Sequence, residues 1–358
     1  MMAAGAPAPR TIESIQHLRA LAALGVVIFH ALGLLQTYFG IEVAHRSLGA
    51  AGVDLFFIIS GFIMWVTAIA RDESPARFAW KRILRIVPLY WLVTTFVLAI
   101  VLFAPSLMNS ASRDPWHFVA SYFFVAWPHP TVEGRFWPPV IPGWTLNYEM
   151  FFYLVVTIAL FLPRFRRIQF IAFALAGLPF VGSLLHLAGA GAFYTNPILI
   201  EFLYGVMLGF LFTTGRVRQG PRASLVLMAV GAVAFGTLGL LGSEENRALW
   251  WALPLVLLVQ GALHAPAIAG GALRAFSKLL GDASYSLYLV QFIVLPPAAK
   301  LLGGVLREVA QPWAAVVFVG ALVVVSIVAA LASYQLFEKP ILDFAHRART
   351  RAREKAAA

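Results

Sequence analysis

Five ionisable residues fall where the chain is otherwise most apolar: Arg19, His30, Asp54, Glu149 and Glu201. A charged group inside an apolar span is costly, so each is a candidate for function. Arg19 and His30 are eleven residues apart. At 100° per residue that is close to three full turns, so both project from one helix face about 16 Å apart. A histidine beside a buried carboxylate is the smallest general base with an orienting partner. Asp54 and Glu149 each fall shortly after the start of an apolar span, and the topology below puts them at the depth of His30. The plainer alternative is that the carboxylates favour helix starts through the dipole and that His30 makes an inter-helix hydrogen bond. Glu201 has the same placement and no identifiable partner, which fits a helix-start role.

A second group lies in the segment RFAWKRILRIVPLY, Arg77 to Tyr90. Arg82 and Arg85 are three apart and share a helix face. Paired guanidinium groups suit a phosphate or pyrophosphate, although basic residues at a helix mouth also simply anchor it. The expected layout is an anion-binding mouth on one side of the membrane and a His/carboxylate layer toward the other. That suits an enzyme with a phosphate-bearing donor, and equally an anion or proton-coupled transporter or a flippase of lipid-linked substrates.

The elements that position these residues are read from composition. Of 358 residues, 61% are hydrophobic and 12% charged, the latter about half the share in soluble domains. This excludes a disordered chain, a nucleic-acid-binding domain and an ordinary soluble globule. With no cysteine there is no disulfide, thiolate metal site or cysteine nucleophile. Ten stretches reach the roughly 20 apolar residues a bilayer crossing needs: 15–37, 50–70, 86–104, 143–162, 168–187, 196–213, 223–242, 248–264, 284–303 and 313–337. The stretch 116–127 is short and bounded by Pro115 and Pro128, which suits an interfacial or re-entrant segment. With the N-terminus in the cytoplasm, twenty of the 27 Lys and Arg fall on the cytoplasmic side and six outside. The expectation is an all-α polytopic membrane protein of about ten helices with both termini cytoplasmic. Residues 1–346 would form the transmembrane domain and 347–358 a basic cytoplasmic tail against anionic lipid.

Trp127, Phe136, Trp137 and Trp144 cluster in 127–144, where they could stack on sugar faces or form an interfacial belt with His117, His129 and His186. No HExxH or GxxxxGK[ST] pattern occurs, so neither a metal nor ATP is expected. Gly205 and Gly209 form a GxxxG spacing that suits helix packing. No half-to-half repeat with paired broken helices occurs, which weighs against a transporter.

The blocks Arg19 to His30, Gly52 to Phe62 (GVDLFFIISGF), Arg82-Ile-Leu-Arg85 with Pro88, Tyr90 and Trp91, Trp144-Thr-Leu to Glu149 with Phe152 and Tyr153, Ser284-Tyr-Ser-Leu-Tyr288, and Phe337-Glu-Lys-Pro340 occur in that order from about residue 12 to 344. In them the chain resembles the acyltransferase 3 family of bacterial integral-membrane O-acyltransferases, with similarity to its exopolysaccharide-production branch. The resemblance implies a bacterial inner-membrane enzyme that moves an acyl group, usually acetyl, from cytoplasmic acetyl-CoA to a sugar hydroxyl of an envelope or lipid-linked glycan. It implies His30 with Glu149 or Asp54 as the catalytic groups and Arg19, Arg82 and Arg85 around the donor's phosphates. Trp144, Trp137 and Tyr153 would face the acceptor. Direct transfer is the simpler course, and an acyl-enzyme through Ser60 or histidine is the alternative. One departure stands out. Where the family carries a His three residues after the second Tyr of the SYSxY block, this chain has Gln291, which can hydrogen-bond and cannot titrate.

Overall fold

Runs of Leu, Val, Ile, Phe and Ala uninterrupted by charge leave the backbone no polar partner but itself, and a helix satisfies every N–H and C=O within one such run. The computed structural model follows that constraint. It describes residues 12–44, 46–105, 113–217, 219–241, 246–266, 270–344 and 347. The N-terminal segment with Arg10, Arg218 and the basic tail after Arg347 lie outside the described residues.

Among the described residues, ten helices are long and apolar enough to cross a membrane, at Glu13–Phe39, Ser47–Ile69, Pro75–Phe103, Gly143–Phe161, Arg164–Leu184, Gly189–Thr214, Pro221–Leu241, Arg247–His264, Ser284–Glu308 and Trp313–Phe344. Each overlaps one of the ten spans read from hydropathy. The elements that matter for the site are α1 (Glu13–Phe39), α2 (Gly52–Met64), α3 (Pro75–Phe103), α4 (Pro115–Tyr122) and α5 (Gly143–Phe161). Next come α6 (Arg164–Ala172), α7 (Leu178–Leu184), α8 (Gly189–Tyr194), α9 (Leu199–Thr214), α10 (Pro221–Leu241) and α11 (Arg247–Trp250). Last are α12 (Ala252–His264), α13 (Ala272–Asp282), α14 (Ser284–Val305) and α15 (Trp313–Ser333), with α15 running into a π-helical turn at Tyr334–Glu338.

Local chemistry sets several boundaries. Pro75 opens α3, where a missing N–H costs nothing. Asp114 accepts from the Trp116 amide at 2.9 Å and caps α4, whose second signal is Pro115 in its first turn. At eight residues α4 spans about 12 Å, too short to cross a bilayer. It is the short segment expected between the third and fourth crossings. Large apolar side chains remain exposed along the outer faces of the long helices, for example Val316, Val317, Val324 and Val328 on α15 and Leu225, Val226, Val230 and Val233 on α10. Lipid tails cover such surfaces, so these faces follow from the same composition that makes the helices.

The chain divides into two units. The first comprises Met1–Phe29, Ala44–Glu73 and Ile200–Ser284, and the second His30–Val43, Ser74–Leu199 and Tyr285–Ala358. The core of the first is built by Ile15, Leu18, Leu55, Ile58, Ile59, Phe62, Trp251 and Val259. Its tightest packing is between α2 and α9. A Cβ on Gly205 would overlap the Ile58 carbonyl, and one on Gly61 would overlap the Phe202 carbonyl. The GxxxG spacing therefore serves packing, with Gly209 closing on Trp65. The core of the second unit includes Ala31, Leu35, Leu295, Ala299, Phe318 and Leu322.

Candidate active site

In the second unit, α3 and α5 bring Arg82 to the aromatic side of Glu149. The Arg82 guanidinium carbon lies 5.7 Å from the Phe78 ring centroid and 5.8 Å from that of Tyr153. Ring quadrupoles attract a cation at that range, so the two rings hold Arg82 in place. Tyr153 and Glu149 are four apart on α5, on one face, and the phenol donates to Glu149 Oε1 at 2.5 Å. Arg82 Nε is buried and has no hydrogen-bond partner among the described residues. A buried donor without an acceptor is rare, and a guanidinium that keeps one free fits an anionic ligand.

Arg85 is answered differently. Its Nη1 lies 2.5 Å from Glu338 Oε1, and Ser286 Oγ donates to Glu338 Oε2 at 2.6 Å. The π-helical turn after α15 presents Glu338, whose side chain is almost fully buried. The Tyr285 hydroxyl donates to the Ile86 carbonyl at 2.7 Å, and Arg85 sits 5.9 Å from the Tyr285 ring centroid. One residue block along, the Tyr288 hydroxyl shares a 2.8 Å hydrogen bond with Thr145 Oγ1 and donates to the Pro142 carbonyl at 3.0 Å. Four separated sequence blocks, around 82–85, 144–153, 284–288 and 337–340, are thus tied together by side chains.

This arrangement differs from the layout expected of the sequence, which set a carboxylate layer apart from an arginine mouth. Tyr153 bridges Glu149 and Arg82. The reason lies in α3: its apolar run begins near residue 86, yet the helix begins at Pro75, so Arg82 is about two turns inside it. The two arginines also prove unequal, since Arg85 has a buried carboxylate and Arg82 has rings. Glu338 and Ser286 were given no role by spacing or charge; the signal was an acid directly after the apolar stretch 313–337.

His30 is half-buried on α1, in the stretch that belongs to the second unit. Arg19 precedes it on the same unbroken helix, as the spacing requires. In the first unit, Arg19 donates to Ser284 Oγ from Nε at 3.1 Å and from Nη2 at 2.9 Å, which ties the first sequence block to the start of α14. Also in the first unit, Asp54 is gripped on both oxygens by Arg247, at 2.9 and 2.6 Å. Nothing in the local sequence of Arg247 indicates a partner 193 residues away. Glu201 joins the same guanidinium at 4.0 Å.

The aromatic candidates of the second unit form a wall. Tyr148 stacks on Phe193 with centroids 4.1 Å apart, Trp144 meets Tyr148 edge-on at 6.0 Å, and Phe136 meets Phe193 at 5.9 Å. Trp137 is half-buried, with Arg135 5.0 Å from its ring centroid. Its carbonyl is 2.8 Å from His117 Nε2, which therefore carries the proton and leaves Nδ1 as a buried lone pair without a partner. Burial holds His117 below the ordinary imidazole range, and the neighbouring His129 adds to this. Gln291, at the position of the family's second histidine, donates from Nε2 to the Tyr288 carbonyl at 3.1 Å. Among the described residues no group of three His, Cys, Asp or Glu is arranged to hold a metal.

The second unit thus carries a half-buried histidine on α1, an arginine with an open donor on α3 and a tyrosine-linked carboxylate on α5. The sequence profile described as an acyltransferase domain, that of the acyltransferase 3 family, matches residues 12–333. The chain belongs to that family and is a multi-pass membrane acyltransferase. It is 37% identical over 303 residues to the exopolysaccharide production protein ExoZ of Rhizobium meliloti, covering 83% of this chain and 91% of that one. It is 28% identical to the acyltransferase MdmB of Streptomyces mycarofaciens, covering 95% of each. No solved structure matches the chain.

Proposed function

We propose that this enzyme is an O-acyltransferase of the bacterial inner membrane that moves an acetyl group from cytoplasmic acetyl-CoA to a sugar hydroxyl of an exopolysaccharide or other envelope glycan, free or lipid-linked. The observation that carries the proposal is Arg82, a half-buried side chain held on Phe78 and Tyr153 with its buried Nε open. CoA brings a pyrophosphate and a 3′-phosphate, the acceptors such a group suits. The similarity to ExoZ, whose name places it in exopolysaccharide production, supports the glycan acceptor.

In the proposed reaction His30 takes the proton from the acceptor hydroxyl as its oxygen attacks the thioester carbonyl. The C–S bond breaks, and the CoA thiolate leaves and is protonated. Glu149, held by Tyr153, supplies the negative charge that favours the imidazolium. Arg85 and Arg19 hold their surroundings through Glu338 and Ser284 and add positive potential for the donor. Asp54 acts as a positioning group, since Arg247 occupies both of its oxygens. Trp144 and Trp137 offer faces for the sugar ring, with Tyr153 between acceptor and donor roles. The inside-positive charge bias supports cytoplasmic termini and a basic cytoplasmic tail over 347–358.

The test is transfer of labelled acetyl from acetyl-CoA to surface glycan in membranes carrying His30→Ala or Arg82→Ala at matched expression. His30→Ala is expected to abolish turnover and Arg82→Ala to raise the donor requirement. Full transfer in both variants would sink the proposal.

A further inference from the structure

The first unit holds a constellation from which acyl transfer draws only a positioning role for Asp54. Asp54 on α2 and Glu201 on α9 have no solvent exposure. Arg247, the first residue of α11, points its fork at Asp54: Nε to Oδ1 at 2.9 Å and Nη2 to Oδ2 at 2.6 Å. That pairing satisfies both Asp54 oxygens. Glu201 Oε1 is 4.0 Å from the same Nε, beyond hydrogen-bond range, and neither Glu201 oxygen receives a hydrogen bond among the described residues.

Two carboxylates on one guanidinium leave one uncompensated negative charge if both are ionised. Water cannot easily relieve it. The Gly61 and Gly205 approaches lock α2 against α9, and Phe57 stacks on Phe202 with centroids 4.4 Å apart. The groups acting on Glu201 are Asp54 from α2 and Arg247 from α11, with Tyr204 one turn along α9. Asp54 and Glu201 converge on one nitrogen, Arg247 Nε, at 2.9 and 4.0 Å. A bare buried carboxylate with no donor is among the costliest arrangements a protein can hold, and one that carries a proton becomes a donor itself.

We propose that Asp54, Glu201 and Arg247 form a proton-binding site, in which Glu201 is a neutral carboxylic acid at neutral pH and donates its O–H to Asp54. The set is then a carboxylate, a guanidinium and an acid, with no net charge. The cation Arg247 neutralises Asp54, and the proton neutralises Glu201.

Infrared spectroscopy of the purified full chain tests this directly. A protonated-carboxyl C=O band is expected that shifts in heavy water, disappears in Glu201→Gln and persists in Glu149→Gln. It is also expected to be indifferent to exchange of K⁺ for Na⁺. Absence of a heavy-water-sensitive band in the wild type, or its persistence in Glu201→Gln, would overturn the proposal. A band abolished by Na⁺ would overturn it in favour of a metal cation. Should Glu201→Gln fail to accumulate, Glu201→Asp serves as the second variant: a shifted band supports the site, and an unchanged one overturns it.

Discussion

Arg82 and Arg247 are both guanidiniums drawn into apolar helix packing, and the protein answers them in opposite ways. Arg247 meets Asp54 with two hydrogen bonds and packs 5.1 Å from the Trp251 ring centroid. Its charge is spent inside the fold. Arg82 rests on Phe78 and Tyr153 and keeps Nε open. Ring faces hold a cation weakly enough that an incoming anion can still claim it, whereas a bidentate carboxylate leaves little to claim. Burial of arginine therefore does not by itself mark a binding site; the answer it receives does. Arg85 repeats the lesson within one sequence block, three residues from Arg82 and closed by Glu338.

The comparison can be broken or sharpened by substitution. The largest effect is expected at the base: His30→Ala should lower acetyl transfer by about 10²–10⁴-fold, the usual worth of general base catalysis, at normal membrane abundance. Next, Arg247→Met strands the fully buried Asp54 and should cost about 3–5 kcal/mol of stability. Thermal unfolding in detergent reads this, and Asp54→Asn added to Arg247→Met should recover most of the loss. If Arg247→Met were as stable as wild type, the closed description of that cluster would fail.

Arg82→Ala should leave the thermal midpoint near wild type and raise the acetyl-CoA KM about 10–100-fold, the cost of one charge-assisted hydrogen bond or two. Arg85→Ala should do the reverse, lowering the midpoint by stranding Glu338. Steady-state kinetics on both variants would show whether the two arginines are as unequal as their partners. Ser286→Ala, which removes one hydrogen bond to Glu338, should cost only about 1 kcal/mol in the same melt.

The smallest expected effect is a pH slope. Burial holds His117 and His129 below the ordinary imidazole value of about 6.5. Below that value the unfolded chain binds protons that the folded rings refuse, so stability falls with pH through and beneath it, and is fully present above. The thermal midpoint should decline as pH drops under about 6.5, and His117→Asn should flatten part of that decline.

Much of this molecule is legible along the chain. Ten apolar runs specify ten helices, because a backbone in lipid must bond to itself, and the eight-residue α4 is short for the same reason that 116–127 could not cross. Arg19 and His30 share a face by helix arithmetic alone. The blocks that mark the family could be recognised in order without knowing how they meet. Partners were another matter. Arg247 and Asp54 are 193 residues apart, and Ser286 and Glu338 are 52 apart. Hydropathy assigns each such residue to a span or a loop and is silent on which span adjoins which.

What the sequence by itself determined is the solvent, the number of crossings and the rarity of charge within them, because these depend on transfer free energies that each residue carries wherever it goes. What only the tertiary structure decided is which charges answer one another. Coulomb and hydrogen-bond energies are set by distances of a few ångströms between residues remote in sequence. Those distances closed Arg85 and Arg247 and left Arg82 open.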